Sequence, residues 1–519
     1  MLLQNNKLLF FCTVIASFGL TFWSIRVDPV INPDALLYLS AAEELKQGNI
    51  SNAFALYKWP FYSFAIATVQ TITGTTAQTS AYLFNGVMHA MAMLGFLACV
   101  HALGGNKKTL LIAALLILFF PSFNKYRSFI IRDAGFIAFY LWSLYHLFIA
   151  VKTEQIYRYI TAFILIFIAT LFRIEAIALL TIVPLYLLYT NSHTKTASRF
   201  WLLLTISVSF VLFFGISIWL FGEQVKATQP GFLGLFQGSM EQFSNSLDFK
   251  LLVIREQLLN EFSQKLAPTV LIITVLCISL YEPLRRLSYI FAYFSWHALK
   301  ERLVLQEQNI RHIFYVICLL QLTLLLVFTL INMFLVSRHT VALVLTVLLL
   351  SPFSLEYFWN KWQQRHISDI GHGKWQLPLL ALLFSIMTID GLNTKTNKPE
   401  IKAAGKWVAQ QVAEDTHVYS NLPLVLHYAK RKPANYNLQF NWRELDYLLF
   451  TKRIFDFDYA AISLTKNVAE TREHISRQLN MKPTIEKLFD NKRTILIYDL
   501  RDAEGKQPFN NRYLKISPK

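Results

Sequence analysis

Long apolar runs without charge constrain this chain more than any other feature of its sequence. Three of them are LLIAALLILFF (110–120), YITAFILIFIATLF (159–172) and VALVLTVLLL (341–350). A backbone inside hydrocarbon must satisfy its own hydrogen bonds, so runs of about twenty apolar residues cross a bilayer as helices. The chain is 54% hydrophobic and only 16% charged, whereas soluble domains carry about 25% charged residues. The sequence therefore predicts a mostly α-helical, polytopic membrane bundle.

The apolar pattern predicts about eleven spans, the first of them retained near residues 8–25. The others are expected near 82–103, 108–124, 134–150, 157–171, 174–190, 200–222, 268–283, 312–336, 339–359 and 376–390. Lys and Arg are densest in the loops on the N-terminal side, including 284–311, so that side is assigned to the cytoplasm. The segment 61–74 has the length of an interfacial or re-entrant helix rather than of a span.

An odd number of spans places the polar tail on the outer side. The tail shows a helical pattern at 401–413 and strand patterns at THVYSN, YAAISL (459–464) and RTILIYDL (493–500). We expect a transmembrane domain over 1–390 and a small extramembrane α/β domain over 391–519 that packs or docks an acceptor. The net charge of +17 follows from basic loops between spans, so nucleic-acid binding is not expected.

The first outer loop carries the most informative acidic residue. Pro33 and Asp34 suit a helix start, where a carboxylate meets the positive end of the helix dipole. Tyr38 lies one turn later on the same face, and the segment continues as an amphipathic helix along the membrane surface. Asp34 is a candidate general base for an incoming hydroxyl, although a helix cap among solvated charges explains the spacing as well.

Asp133 is the second candidate, at the outer end of the fourth span, where Arg132 beside it offers a structural ion pair. The pattern also places cations at the outer level. Arg173 and Glu175 lie at one short turn, Arg338 at another, and Lys58 before Trp59. Arginine at headgroup depth binds phosphate through two oxygens, and snorkelling to lipid is the alternative. Two converging carboxylates would leave a divalent metal ion open as a cofactor.

Carboxylates and cations at one membrane surface fit chemistry on a lipid-linked anionic substrate. A conduction path would instead place polar groups at mid-span. These residues resemble the GT-C superfamily of polyprenyl-phosphate-sugar glycosyltransferases, in particular its bacterial branch related to protein O-mannosyltransferases and the lipid A aminoarabinose transferase. The resemblance is carried by PDALLYLSAAEELKQGN, KWPFYSFAIATVQTITG, RSFIIRDAGFIAFYLW, LFRIEA and SRHTVA. His339 stands where the family usually has Tyr.

The resemblance implies inverting transfer of a sugar from a polyprenyl-phosphate donor to a hydroxyl on a lipid, protein or polysaccharide. Asp34 would be the general base, and Asp133 would be the second catalytic carboxylate. Substrate contacts would come from Tyr38, Lys58, Arg132, Arg173, Glu175 and Arg338. The implied location is a bacterial inner membrane with the tail in the periplasm. A flippase or transporter of lipid-linked glycan and an oligosaccharide ligase remain as alternatives.

Overall fold

The structure is a computed structural model. It describes residues 2–173, 176, 178–180, 245–368, 382, 385, 386, 389, 390, 398–431, 442–464, 468–490 and 493–503. Within them the chain forms two compact units. The first comprises Met1–Phe22, Tyr82–Arg127 and Arg132–Asn393, and the second comprises Trp23–Ala81, Ser128–Ile131 and Thr394–Lys519. The second unit thus contains the first outer loop as well as the tail, while a division at residue 390 stays a prediction.

The first unit is helical throughout its described residues. Its helices are most of α1 (Leu2–Val27) and of α5 (Ala77–Ala102), then α6 (Lys107–Phe119), α7 (Pro121–Asn124), α8 (Asp133–Thr153), α9 (Ile156–Phe172), α10 (Ala267–Leu287), α11 (Tyr289–Lys300), α12 (Gln308–Asn332), α13 (Ser337–Leu348) and α14 (Ser351–Ser368). A π-helical turn at Ile254–Leu258 and a 3-10 helix at Glu261–Leu266 precede α10.

Five helical segments in the described part are long and apolar enough to cross a membrane. They are Asn6–Val27, α5, α8, Glu261–Leu287 and α12, and the pair α13 and α14, bent by 43°, makes a sixth if it is one span. These six coincide with predicted spans and confirm a multi-pass membrane protein. Helix α9, with 17 residues, and α6, with 13, are shorter. The predicted spans 174–190, 200–222 and 376–390 lie wholly or largely outside the described residues, so a count of eleven stays a prediction.

One contact contradicts the predicted topology around the cytoplasmic loop 284–311. Residues Tyr289–Lys300 form α11, which packs along α14. The Ser122 hydroxyl donates to the carbonyl of Arg286 at 2.7 Å, although the sequence placed these residues at opposite membrane surfaces. Arg285 and Arg286 suggested a loop, but both bind Glu282 within the last turn of α10. The carboxylate of Glu282 thus pairs with both arginines and offsets one of their two charges.

The outer-loop part of the second unit has three short helices, α2 (Pro33–Lys46), α3 (Ile50–Leu56) and α4 (Phe61–Thr73). Helix α4 has 13 residues, or about 20 Å, too short to cross a hydrocarbon core of about 30 Å. It ends at Gly74, whose φ of 66° lies in the left-handed region that glycine adopts without strain. The side chain of Gln70 donates to Glu43 at 3.1 Å and joins α4 to α2.

The tail part is a small α/β fold, as the sequence predicted. Its elements are α15 (Pro399–Gln411), β1 (Val418–Ser420), α16 (Pro423–Tyr428), α17 (Trp442–Phe450), β2 (Tyr459–Leu464), α18 (Val468–Leu479), β3 (Ile485–Asp490) and β4 (Arg493–Asp499). The sheet has the order β1-β2-β4-β3, with β1 parallel to β2 and the other pairs antiparallel. Every residue of β2 is buried, and the strand lies between β1 and β4 in the sheet.

Candidate active site

An ion pair inside the first unit joins two of the predicted site residues. Asp133 is the first residue of α8, where a carboxylate meets the positive end of the helix dipole. Arg173 follows the last residue of α9, where a cation meets the negative end. The guanidinium Nη1 donates to Asp133 Oδ1, and the two side chains are only 6% and 10% exposed. A buried charge is costly without such a partner, so the pairing compensates both side chains.

Gly135 explains why the ends of α8 and α9 approach so closely. A Cβ added at Gly135 would lie 2.5 Å from the ring of Phe172, the residue before Arg173. The phenyl ring therefore packs directly against the backbone of α8. It also stacks between Phe84 and Phe139, with centroids 6.0 and 5.9 Å away. This packing places Arg173 beside Asp133.

We expect Gly135→Ala to destabilise the protein by about 1–3 kcal/mol, the usual effect of overpacking a helix contact. The new methyl group would push Phe172 away and loosen the ion pair beside it. Thermal unfolding in detergent measures the loss. Gly19→Ala is the matched control, because a Cβ there would meet no atom within 4 Å. Equal melting temperatures for both variants would contradict the packing argument.

His339 completes the group around Arg173. Its Nδ1 lies 2.6 Å from Arg173 Nη2. A guanidinium only donates hydrogen bonds, so Nδ1 of His339 is the acceptor in this contact. The ring packs on Phe328, with centroids 4.2 Å apart. Arg173 also donates to the carbonyl of Arg338 at 3.5 Å, which brings the start of α13 into the group.

A cavity of about 60 Å³ adjoins this group. Its polar lining residues are Arg173, His339, Tyr140 and Gln321, and every other described lining residue is apolar. Tyr140 and Gln321 are hydrogen-bonded to each other and sit deeper in the helices, since Tyr140 lies two turns beyond Asp133. The cavity therefore combines a cation in its lining with mostly hydrocarbon walls, a combination that suits an amphiphile with an anionic head.

Asp34 lies in the second unit, at the second position of α2 after Pro33. Its side chain is half-buried, and it has the favourable helix-dipole position that the sequence predicted. Tyr38, one turn on, is buried with its ring edge-on to Tyr57 and Tyr62, at centroid distances of 5.1 and 5.0 Å. Lys58 is exposed. The ring of Tyr38 thus locks α2 against the two helices that follow it.

Comparisons with known proteins bear on this arrangement. Residues 58–219 match the family model described as dolichyl-phosphate-mannose-protein mannosyltransferase. The archaeal oligosaccharyltransferase AglB from Archaeoglobus fulgidus, in complex with an inhibitory peptide and a dolichol-phosphate, superposes with a TM-score of 0.50 at 11% identity, covering 92% of this chain and 72% of that one. The chain has the GT-C fold.

The apo form of the Archaeoglobus fulgidus enzyme matches the chain with a TM-score of 0.48 at 12% identity, over 88% of this chain and 70% of that one. The comparison with curated proteins found no match. The matched family segment contains Lys58, Arg132, Asp133 and Arg173, so the GT-C assignment covers the ion pair. The family-model match and the fold shared with AglB confirm the predicted resemblance to the GT-C superfamily.

Within the GT-C fold, the structure joins part of the predicted site. Asp133 and Arg173 pair directly, and Arg338 meets them through its carbonyl. Arg132 is the residue before α8. Asp34, Tyr38 and Lys58 belong to the other compact unit, so their convergence with Arg173 stays a prediction. Glu175 lies outside the described residues.

Sequence reasoning missed Arg127, which is fully buried in the GT-C membrane unit. Its guanidinium donates to Asn124 Oδ1 at 2.6 Å and to Thr21 Oγ1 at 2.8 Å. Asn124 in turn donates to carbonyls at the end of α6. The described residues pair no carboxylate with Arg127. Its role is to tie α1 to the end of α6, and only the run of cations in KYRSFIIR marked it in sequence.

The described residues contain no group of three His, Cys, Asp or Glu side chains that could hold a metal ion. The carboxylate of Asp133 is already taken up by Arg173.

Proposed function

We propose that the chain transfers a sugar from a polyprenyl-phosphate donor to an acceptor hydroxyl. The observation that carries this proposal is the buried Arg173, which pairs with Asp133 and His339 and lines a mostly apolar cavity. A lipid phosphate matches both features, because it has an anionic head and a hydrocarbon chain. The AglB structure was obtained with a dolichol-phosphate, which supports the same class of donor here.

Because Asp133 and Arg173 carry opposite charges, the pair is close to neutral, and a second cation is needed to bind a phosphate. Arg338 supplies it from the first turn of α13. Arg173 and Arg338 then hold the donor phosphate, and Lys58, Arg132 and Glu175 are assigned to the surrounding substrate contacts together with Tyr38. Asp133 holds the guanidinium of Arg173 in place for the phosphate. Among the described residues, Arg132, Asp133, Arg173 and Arg338 lie at helix ends rather than at mid-span, which favours catalysis over transport.

The transfer itself is a single displacement. Asp34 takes the proton of the acceptor hydroxyl, and the hydroxyl oxygen forms a bond with the anomeric carbon from the face opposite the phosphate. The bond from that carbon to the phosphate oxygen breaks, its electron pair leaves with the lipid phosphate, and the sugar configuration inverts. Arg173 and Arg338 stabilise the charge that grows on the leaving oxygen, an effect of roughly 3–4 kcal/mol for a well-placed donor.

We place the reaction at the outer face of a bacterial inner membrane, with the tail in the periplasm and the acceptor drawn from lipid, protein or polysaccharide. Transfer of a whole glycan, as by an oligosaccharide ligase, is the second candidate, because AglB is an oligosaccharyltransferase. The mass added to the acceptor separates the two, since one activity adds a single sugar and the other an entire chain.

The direct test uses purified protein in lipid bilayers with a radiolabelled polyprenyl-phosphate sugar and extracted envelope lipids or glycans as acceptors. We expect label in the acceptor fraction and release of free polyprenyl phosphate. Release of polyprenyl phosphate in the absence of an acceptor would contradict the proposal. A complete lack of release with every acceptor class would also contradict it.

We expect Arg338→Ala to raise the donor KM by about tenfold or more, the effect of losing a charge-assisted hydrogen bond, while acceptor KM changes little. Initial rates at varied donor concentration measure it. Arg255→Ala, at an exposed arginine of the same unit, is the control. An unchanged donor KM would show that Arg338 only reaches for lipid headgroups.

A further inference from the structure

We infer that Tyr428 is a positioning residue that fixes the loop before α2 and so sets where Asp34 is presented. The inference rests on the proposed function, because it takes Asp34 as the base. All residues in the argument belong to the second compact unit.

The hydroxyl of Tyr428 binds two backbone groups of the loop at residues 28–32. It accepts a hydrogen bond from Ile31 N–H at 2.9 Å and donates one to the carbonyl of Pro29 at 3.3 Å. A phenol has one donor and can accept at the same oxygen, so both capacities are used. The two bonds hold the peptide groups on either side of Val30.

The opposite side of the loop is held by the segment 128–131. The Asn32 side chain accepts from Ile130 N–H at 2.8 Å and donates to Ile130 O at 3.3 Å. Asn32 precedes α2, yet its side chain makes no capping hydrogen bond to the helix. It is used entirely to fix the loop, and the helix start is therefore positioned from outside rather than by its own cap.

The tail in turn fixes Tyr428. A Cβ at Gly405 would lie 2.4 Å from Tyr428 Cβ, so α15 packs directly on this residue. Lys402 on the same helix lies 5.9 Å from the centre of the Tyr428 ring. Burial raises the pKa of Tyr428, with the nearby Asp28 acting in the same direction. The hydroxyl thus stays protonated at neutral pH and keeps its donor for Pro29.

The consequence concerns the distance from base to substrate. Asn32 and Pro33 are the only residues between Ile31 and Asp34, so a shift of Ile31 is passed to the first turn of α2. Misplacing a catalytic group by about 1 Å can reduce the rate by up to about 10²-fold. The tail would then contribute to the chemical step without touching the substrate.

The test is Tyr428→Phe in the full-length protein, which removes the hydroxyl and keeps the ring. We expect kcat to fall about tenfold with donor KM unchanged. In hydrogen–deuterium exchange, the amides of Val30, Ile31 and Asn32, which lie between two prolines, should exchange about fivefold faster. Tyr447→Phe, at a tyrosine of the tail that is 47% exposed, is the control. Asn32→Ala frees the loop from Ile130 and should change both readouts in the same direction.

Unchanged exchange in Tyr428→Phe would overturn the inference, as would faster exchange with normal kcat. A fall in kcat without faster exchange would also overturn it, because the loss would then arise elsewhere. Failure of the proposed function is seen separately: if Asp34→Asn stays active, Asp34 is not the base, whatever the exchange at residues 30–32 shows.

Discussion

Asp34→Asn is expected to reduce sugar transfer by about 10²–10⁴-fold, the range that a positioned general base contributes. The amide has the shape of the carboxylate but cannot take the proton of the acceptor hydroxyl. Because the change acts on the chemical step, kcat should fall while donor KM stays close to normal. Quench assays with labelled donor in bilayers measure both constants.

The variant should still fold, since Asp34 is half-buried at a helix start and its dipole contribution is only about 0.3–1 kcal/mol. Glu44→Gln is the matched control, an acid-to-amide change on the same helix α2. If Asp34→Asn transfers sugar at the normal rate, Asp34 is a helix cap and another group must act as base.

The second large effect is expected from Arg173→Gln. It leaves the carboxylate of Asp133 buried without its cation, which typically costs about 3–5 kcal/mol. It also removes a donor to the leaving phosphate, which should lower transfer by about 10²–10³-fold. Melting temperature and kcat therefore both fall.

The double variant Asp133→Asn/Arg173→Gln separates the two roles. With neither charge present, stability should return close to normal, because no unpaired charge is left buried. If Arg173 binds the donor phosphate, the stable double variant remains inactive. Recovery of activity together with stability would show that Arg173 serves only Asp133. Arg477→Gln breaks the exposed pair with Glu473 and should change neither quantity.

The sequence was a good guide to elements whose burial pattern is local. Apolar runs predicted the spanning helices, and short strand patterns in the tail predicted β1, β2 and β4. Strand β3 was missed because IEKLFD carries charges inside the strand. It lies at the edge of the sheet and pairs only with β4, and an edge strand tolerates Glu486 and Lys487 where a central strand would not.

The site was predictable only as a set of residue types. Arg132 suggested itself as the partner of Asp133 because it is adjacent in sequence, but neighbouring residues at a helix start do not face each other. The partner, Arg173, comes from the next helix, through the close packing at Gly135. That pairing depends on tertiary contact, as does the bond between Tyr428 and Ile31, which are 397 positions apart. No local pattern encodes either of them.

The hydrogen bond between Ile31 and Tyr428 can form only late in biosynthesis. A ribosome adds about 5–20 residues per second, so roughly 20–80 s separate the synthesis of the two partners. During that interval the loop around Ile31 lacks its hydrogen-bond partner, the hydroxyl of Tyr428. The helices translated in between are already entering the bilayer. Maturation of this region is thus a late, post-insertion event, and a chaperone that shields the early segment would have most of translation in which to act.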